Sequence, residues 1–209
     1  MAIKGSDGGG KACFKKPVWT LTELARSLPS MPRHALRTLP TVMNMPISGR
    51  LRERIMLAVA AENRCRYCRI AHATFAEALD MSRGEISDII KGSHEGLSAC
   101  DAMALAYVRD LAMRDFKSKD ATLRAKLHDC FTREQVNAIE SSAVVMNFAN
   151  RFGNTFDAAL ETATGGCDET GAGLLDKLVV STVFAGAASL VSPLVGALMA
   201  VNRLRRGRD

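Results

Sequence analysis

The stretch at residues 51–79 reads LRERIMLAVAAENRCRYCRIAHATFAEAL and determines how the middle of this chain folds. Its first part repeats an apolar residue at every fourth position: Leu51, Ile55 and Val59. This period predicts an amphipathic helix over residues 48–62. Asn63 and Arg64 interrupt the pattern, and we expect a second helix over residues 65–79. The stretch therefore predicts two neighbouring helices joined by a short break.

Helical signals continue on both sides of this pair of helices. Ser, Thr or Asp at capping positions, several with Glu or Gln three residues later, mark the helix starts. The expected helices cover residues 20–28, 82–90, 98–114, 120–128 and 132–156, and an apolar segment covers residues 174–201. Aromatic residues make up 5% of the chain, and apolar and polar residues nowhere alternate over a sustained run. We expect an all-α protein, folded as a compact helical bundle.

Composition divides the chain into four parts. Residues 1–16 are rich in Gly and Lys and are expected to be a disordered tail, and residues 17–163 form the helical domain. Residues 164–173 are a Gly-rich linker, and residues 174–209 form an apolar C-terminal helix with a basic tail. The length of 209 residues fits one domain with extended ends.

The net charge of +6 lies at the two ends of the chain, and the body between them is neutral. No interior basic stripe with interleaved aromatic residues is present, which argues against a nucleic-acid partner. The first residues lack the apolar core of a signal peptide. Four of the six cysteines are scattered and are expected to be bystander thiols: Cys13, Cys100, Cys130 and Cys167. We expect the reducing cytoplasm as the compartment.

The other two cysteines carry the strongest functional signal. Cys65, Cys68 and His72 follow at spacings of three and four residues, which places all three on one face of a helix. Cys65 stands at the expected helix start, beside Arg64 and Arg66, where positive charge and the helix dipole favour a thiolate. His72 is placed to accept the proton of Cys68. This arrangement suits thiol redox chemistry, in which the two cysteines close to a disulfide.

Glu53 lies twelve residues before Cys65. On one continuous helix the two would stand about 18 Å apart. If the chain turns near Asn63, the helices can lie antiparallel, and the Glu53 carboxylate can then act as a base or orient His72. The alternative is that Glu53 is a solvent-exposed charged residue without a role in the site, since arginines flank it on its helix.

Two other interpretations of the cysteine pair remain open. Cys65, Cys68 and His72 supply three ligands of a type that zinc binds, but no partner cluster is evident in the sequence. The two thiols can also be structural and buried. No Gly-rich nucleotide fingerprint occurs, so neither NAD nor a flavin is implied as a cofactor.

At these residues the sequence resembles the superfamily of AhpD-like alkylhydroperoxidases and carboxymuconolactone decarboxylases. The matching residues are Glu53, Cys65, Tyr67, Cys68 and His72, within ERIMLAVAAENRCRYCRIAH. LSACDAMALAYVRDLA and FTREQVNAIESSAVVMNFANRFGNTFD continue the match, so that it covers about residues 47–157.

The resemblance implies an oligomeric all-α fold with peroxidase or disulfide-reductase activity. Cys65 and Cys68 would be the redox pair, and Glu53 and His72 the proton relay. The best-studied alkylhydroperoxidases carry a histidine between the cysteines, where this chain has Tyr67. True carboxymuconolactone decarboxylases generally lack the pair, which argues against lactone chemistry.

The sequence therefore predicts a thiol-dependent peroxidase that acts on a hydroperoxide and is regenerated by an external dithiol reductant. Either cysteine can be the attacking one: the helix start favours Cys65, and the nearness of His72 favours Cys68. The rival hypothesis is a non-catalytic helical homo-oligomer that senses redox state or docks a partner. The uncharged run at residues 178–201 is expected to be buried in the oligomer or against the bundle, with membrane association as the alternative.

Overall fold

A computed structural model describes residues 13–30 and 46–206 of the chain. Within these residues the chain forms eight helices joined by short turns. They are α1 (Leu21–Ser27), α2 (Gly49–Glu62), α3 (Arg66–Ala78), α4 (Arg83–Lys91), α5 (Ala99–Met113), α6 (Ala121–Cys130), α7 (Arg133–Ala163) and α8 (Leu174–Arg206). In the same part of the chain, an isolated bridge between Phe14 and Asp168 is the only strand-like pairing. The predicted all-α class is confirmed.

The helices begin where capping side chains satisfy the free N–H groups of the first turn. Ser48 accepts a hydrogen bond from the N–H of Leu51, and Thr132 forms a reciprocal capping box with Gln135. Thr20, Ser82, Ser98 and Asp120 cap their helices in the same way. Each of these starts agrees with the sequence-based expectation, because capping depends on neighbours within three residues.

Helix α2 lies at the centre of the bundle and contacts α3, α4, α5 and α7. Ile55, Leu57 and Val59 of α2 are fully buried, and they belong to one apolar cluster with Leu105 of α5 and Ile139 of α7. Burying an aliphatic side chain stabilises the fold by about 1.5–3 kcal/mol. This core holds α2 and its neighbours in place, and the site forms at its edge.

Helix α7 continues to Ala163, seven residues beyond the expected end at Phe156. Ala158 is fully buried, and its cluster includes Val18 and Ala172. Contacts with the N-terminal segment therefore support the extra turns, and these contacts join residues that are distant in sequence.

Residues 13–20, called the strap below, lie against α7. The sequence assigned residues 13–16 to a disordered tail, whereas the structure gives them defined contacts; residues 1–12 of that tail lie outside the described residues. Cys13 is bonded to Cys167, and the backbone N–H of Phe14 donates to the carbonyl of Cys167 at 2.8 Å.

Four of the cysteines form two disulfides, Cys13–Cys167 and Cys100–Cys130. The prediction that these four are bystander thiols is therefore wrong. Cys100 lies in the first turn of α5 and Cys130 at the end of α6, and packing of these two helices brings the sulfurs together. The expectation of a reducing compartment rested on scattered free thiols. These four cysteines are bonded in pairs and no longer support it.

Helix α8 packs through its first half and is exposed further along. Val180 is fully buried, and Phe184 contacts the rings of Tyr67 and Phe156. Leu190, by contrast, is 82% exposed. Within residues 13–30 and 46–206, none of the helices combines the length and apolar character that a membrane crossing requires.

Candidate active site

The predicted break between α2 and α3 places the cysteine pair. Asn63 ends α2, Arg64 adopts a left-handed conformation with φ of 55°, and the N–H of Cys65 donates to the carbonyl of Ala60 at 3.0 Å. Cys65 is itself the N-cap of α3, so its sulfur stands at the positive end of the helix dipole. The turn also folds α3 back against α2. This is the arrangement that allows Glu53 of α2 to reach a side chain of α3.

Cys65 and Cys68 lie side by side as free thiols, and they differ in exposure and in acidity. Cys65 is fully buried, whereas Cys68 is partly exposed. The backbone N–H of Cys68 donates to the Cys65 sulfur at 3.4 Å. The Cys68 thiol also lowers the pKa of Cys65 by donating to its sulfur, against the effect of burial. The same contact, together with burial, raises the pKa of Cys68. The anion of the reduced pair therefore rests on Cys65.

Glu53 and His72 form a hydrogen-bonded pair beside these thiols. A carboxylate oxygen of Glu53 lies 2.7 Å from Nδ1 of His72, and the Glu53 side chain is only 6% exposed. With the Nδ1 proton held by the carboxylate, Nε2 is free to accept a proton. His72 lies one helical turn after Cys68, on the same face of α3. The structure thus pairs Cys65 with Cys68 and Glu53 with His72, and His72 follows Cys68 by one turn of α3.

Tyr67, which stands between the cysteines, belongs to an aromatic cluster. Its ring centroid lies 5.7 Å from that of Phe156 and 5.3 Å from that of Phe184. Its hydroxyl accepts a hydrogen bond from Arg66 at 2.6 Å. Burial raises the pKa of Tyr67, so the phenol stays neutral near pH 7. Tyr67 closes the α7 and α8 side of the site.

Three further residues act on Cys65: Gly153 and Asp157 of α7, and Lys16 of the strap. A Cβ added at Gly153 of α7 would lie 2.9 Å from the Cys65 sulfur. Asp157, one turn further along α7, is 6% exposed and forms ion pairs with Arg66 at 2.8 Å and with Lys16 at 2.9 Å. Gly153 and Asp157 lie in the matching segment that ends in GNTFD, but no spacing there assigned them a role. The mid-helix Gly153 was the one available signal, because glycine there weakens a helix unless packing requires it.

Metal-ligand geometry among the described residues occurs in a different place. The donor atoms of Cys13, Cys167 and Glu169 lie within 4.8 Å of one another. Two of these donors are the sulfurs of one disulfide, so they cannot bind a metal as thiolates in this state.

The fold and site together define an all-α protein in which a buried and a partly exposed thiol lie on the same helix as the histidine of a Glu–His pair. Residues 34–110 match the model of the carboxymuconolactone decarboxylase family. This range contains all four site residues and confirms the resemblance noted from the sequence.

Other comparisons add little. A solved structure of an uncharacterized peroxidase-related protein from Silicibacter sp. TM1040 is similar, with a TM-score of 0.48 and 17% identity over 71% of this chain and 74% of that chain. No curated protein matches the chain at a significant level.

Proposed function

We propose that the protein is a thiol-dependent peroxidase that reduces a hydroperoxide with the Cys65–Cys68 pair. The observation that carries this proposal is the Glu53–His72 hydrogen bond of 2.7 Å, one helical turn from a partly exposed thiol. The carboxylate fixes the imidazole so that Nε2 can take and return a proton.

Cys68 is the attacking cysteine in this proposal, because a peroxide can reach a partly exposed sulfur but not the buried Cys65. In its singly deprotonated form the pair keeps one proton on Cys68, and attack requires that this proton passes to Nε2 of His72 while Cys65 stays a thiolate. The Cys68 thiolate then bonds to the terminal peroxide oxygen, and the O–O bond breaks. The leaving alkoxide takes a proton from His72, which gives an alcohol and a Cys68 sulfenic acid.

Cys65 resolves the sulfenic acid. As a thiolate it attacks the Cys68 sulfur and expels hydroxide, which takes up a proton to leave as water, and the pair becomes a disulfide. An external dithiol then attacks the exposed Cys68 sulfur. Cys65 is the leaving group, and its thiolate is stabilised by the N–H of Cys68 and by the N-terminus of α3. The dithiol ends as its own disulfide, so one hydroperoxide is reduced for each dithiol oxidised.

Peroxide consumption by the purified protein with a generic dithiol tests this proposal. We expect turnover in the wild type and none in Cys68→Ser. Cys65→Ser should stop after one equivalent, with a sulfenic acid trapped at Cys68 by a dimedone-type reagent. A disulfide that forms and reduces reversibly without peroxide turnover would instead support the redox-sensing alternative.

A further inference from the structure

Four consecutive residues of the strap each make a hydrogen bond to α7. The pairs are Lys16 to Asp157 at 2.9 Å, Asn154 to the carbonyl of Pro17 at 3.0 Å, Arg151 to the carbonyl of Val18 at 3.0 Å, and the N–H of Trp19 to Thr155 at 2.8 Å. Asn154 also donates to the carbonyl of Asn63 at 2.8 Å. One side chain thus ties the strap to the turn that places Cys65.

The Cys13–Cys167 disulfide fastens the free end of the strap. Beside it, Phe14 donates to the carbonyl of Cys167 and accepts from the N–H of Glu169, at 2.8 and 3.1 Å. Lys16 follows only three residues after Cys13. The disulfide therefore restricts the position of the Lys16 ammonium, which forms an ion pair with Asp157.

Charges of both signs surround Cys65. Asp157 approaches from α7, Lys16 from the strap, and Arg66 from α3 itself, where Cys68 and the neutral Tyr67 are the other titratable neighbours. Arg64 stands in the turn before Cys65, and the Glu53–His72 pair lies one turn beyond Cys68. From α8, the uncharged Phe184 packs against Tyr67. Cys68 has the largest effect on the pKa of Cys65, which it lowers; after burial, which raises this pKa, the charge of Asp157 raises it further and the charge of Lys16 lowers it.

We propose that Lys16 and Asp157 form a charge clamp that positions the Cys65–Cys68 pair, and that the Cys13–Cys167 disulfide controls this clamp through the strap. The inference rests on the proposed function for its consequence, since a changed Cys65 thiolate changes both resolution and reduction of the redox pair. Lys16 and Asp157 are positioning residues, because they act through Cys65 and touch no substrate.

The control step is an ordinary thiol–disulfide exchange. An external dithiol supplies two electrons and two protons, the Cys13–Cys167 bond breaks to two thiols, and the dithiol becomes a disulfide. Reduction frees Cys13 from Cys167, so the strap loses its covalent attachment three residues before Lys16, while Pro17, Val18 and Trp19 keep their hydrogen bonds to α7. The Lys16 ammonium is then less confined, Asp157 keeps Arg66 and the Tyr67 hydroxyl as partners, and the Cys65 thiolate is less favoured.

A pH titration of the thiolate absorbance measures the clamp without any peroxide chemistry. With both disulfides intact, Cys65 and Cys68 are the only cysteines with a thiol to titrate. The first apparent pKa describes these two coupled thiols together. Lys16→Gln should raise this pKa, so that the thiolate fraction near pH 7 falls about 3- to 10-fold. Asp157→Asn should lower it, and Lys15→Gln, whose exposed lysine pairs with Glu169, should leave it unchanged.

The disulfide is tested with the Cys13→Ser, Cys167→Ser double variant. This double variant should raise the first apparent pKa, as Lys16→Gln does. The triple variant that also carries Lys16→Gln should show a pKa shift smaller than the sum of the two separate shifts, because both changes act through Lys16. Circular dichroism and denaturant unfolding of each variant serve as the controls for correct folding.

Three results would overturn the proposal. They are a wild-type titration in Lys16→Gln, a shift of the same sign in Lys16→Gln and Asp157→Asn, or a wild-type titration in the double serine variant. The opposite signs matter because general loosening of the fold would move both variants the same way. If the shifts occur but wild-type protein turns over no peroxide, the clamp stands and the peroxidase assignment fails.

Discussion

Gly153 lies directly against the sulfur of Cys65: a Cβ at residue 153 would stand 2.9 Å from Sγ and 3.4 Å from the ring of Tyr67. Carbon and sulfur atoms cannot remain this close without repulsion, so either α7 or the cysteine must shift. The missing side chain of Gly153 thus sets the space in which the Cys65 sulfur moves when the disulfide closes.

Gly153→Ala should therefore impair the redox pair. We expect the fold to lose about 1–3 kcal/mol through overpacking, and disulfide closure after peroxide treatment to slow by about tenfold because Cys65 is displaced. Mass spectrometry of the Cys65–Cys68 peptide over time measures closure. Gly186→Ala is the matched control: it changes another helical glycine, which has open space around it, and should be neutral or stabilise α8 by up to about 1 kcal/mol. Equal closure rates in wild type and Gly153→Ala would show that the contact has no effect on the chemistry.

Glu53→Gln keeps the shape of the side chain and removes the charge beside His72. We expect peroxide turnover to fall by about 10²-fold, and His72→Ala to cause a similar loss, because both act in one proton relay. The double variant should be little worse than either single one, as for residues that act as a unit. Steady-state peroxide consumption measures all three, and Glu95→Gln in the exposed loop before α5 serves as control. Full activity in Glu53→Gln would leave this carboxylate a packing role.

The sequence predicts those parts of the fold and site that depend on neighbours along the chain. Helix starts follow from caps such as Ser82 and Thr132, whose partners lie three residues away. The face shared by Cys65, Cys68 and His72 follows from helical spacing. Glu53 needed one further assumption, the turn near Asn63, and the 2.7 Å contact with His72 has the geometry that this turn was expected to give.

What could not be predicted depends on contacts between the two ends of the chain. Lys16 and Asp157 are 141 residues apart, and Cys13 and Cys167 are 154 apart. Neither pair has a local pattern, and the charge of Lys16 looked like part of a solvated tail. The even number of cysteines was compatible with disulfides, but pairing follows from the fold rather than from spacing.

The reduced Cys65–Cys68 pair should form its first thiolate at a lower pH than an ordinary thiol. The Cys68 thiol and N–H stabilise the Cys65 thiolate, so the folded pKa lies below the ordinary thiol value of about 8.5. The thiolate absorbance of the reduced pair should therefore approach the level of one thiolate before that pH. Beneath the lowered pKa, it should fall about tenfold for each further unit. A pH titration of the protein with the pair reduced gives this profile. An absorbance step centred at or above pH 8.5 would contradict Cys65 as the stabilised thiolate.

The Cys100–Cys130 disulfide should be structural. It closes a loop of 30 residues between α5 and α6, and replacing both cysteines with serine should cost about 2–4 kcal/mol of stability. The reactivity of Cys65 and Cys68 should be unchanged, since neither bonded cysteine borders the site. Urea unfolding gives the first quantity and alkylation kinetics the second. Peptide mapping of non-reduced protein provides the direct check, and free thiols at both positions would restore the bystander interpretation.

The exposed end of α8 should join copies of the chain. Val180 and Phe184 hold the first half of α8 on the bundle, whereas Leu190, 82% exposed, lies on a part of the helix without cover in the monomer. Removing residues 187–209 keeps the first contacts and deletes the exposed part. We expect the full chain to sediment as a homo-oligomer and the shortened chain as a smaller species of unchanged helicity. Apolar surface of this kind is stabilised by burial in a second copy. A flotation assay with anionic lipid vesicles tests the alternative, which is that α8 binds membranes. If the full chain stays monomeric and floats with vesicles while the shortened chain does not, α8 binds membranes and the oligomer prediction is wrong.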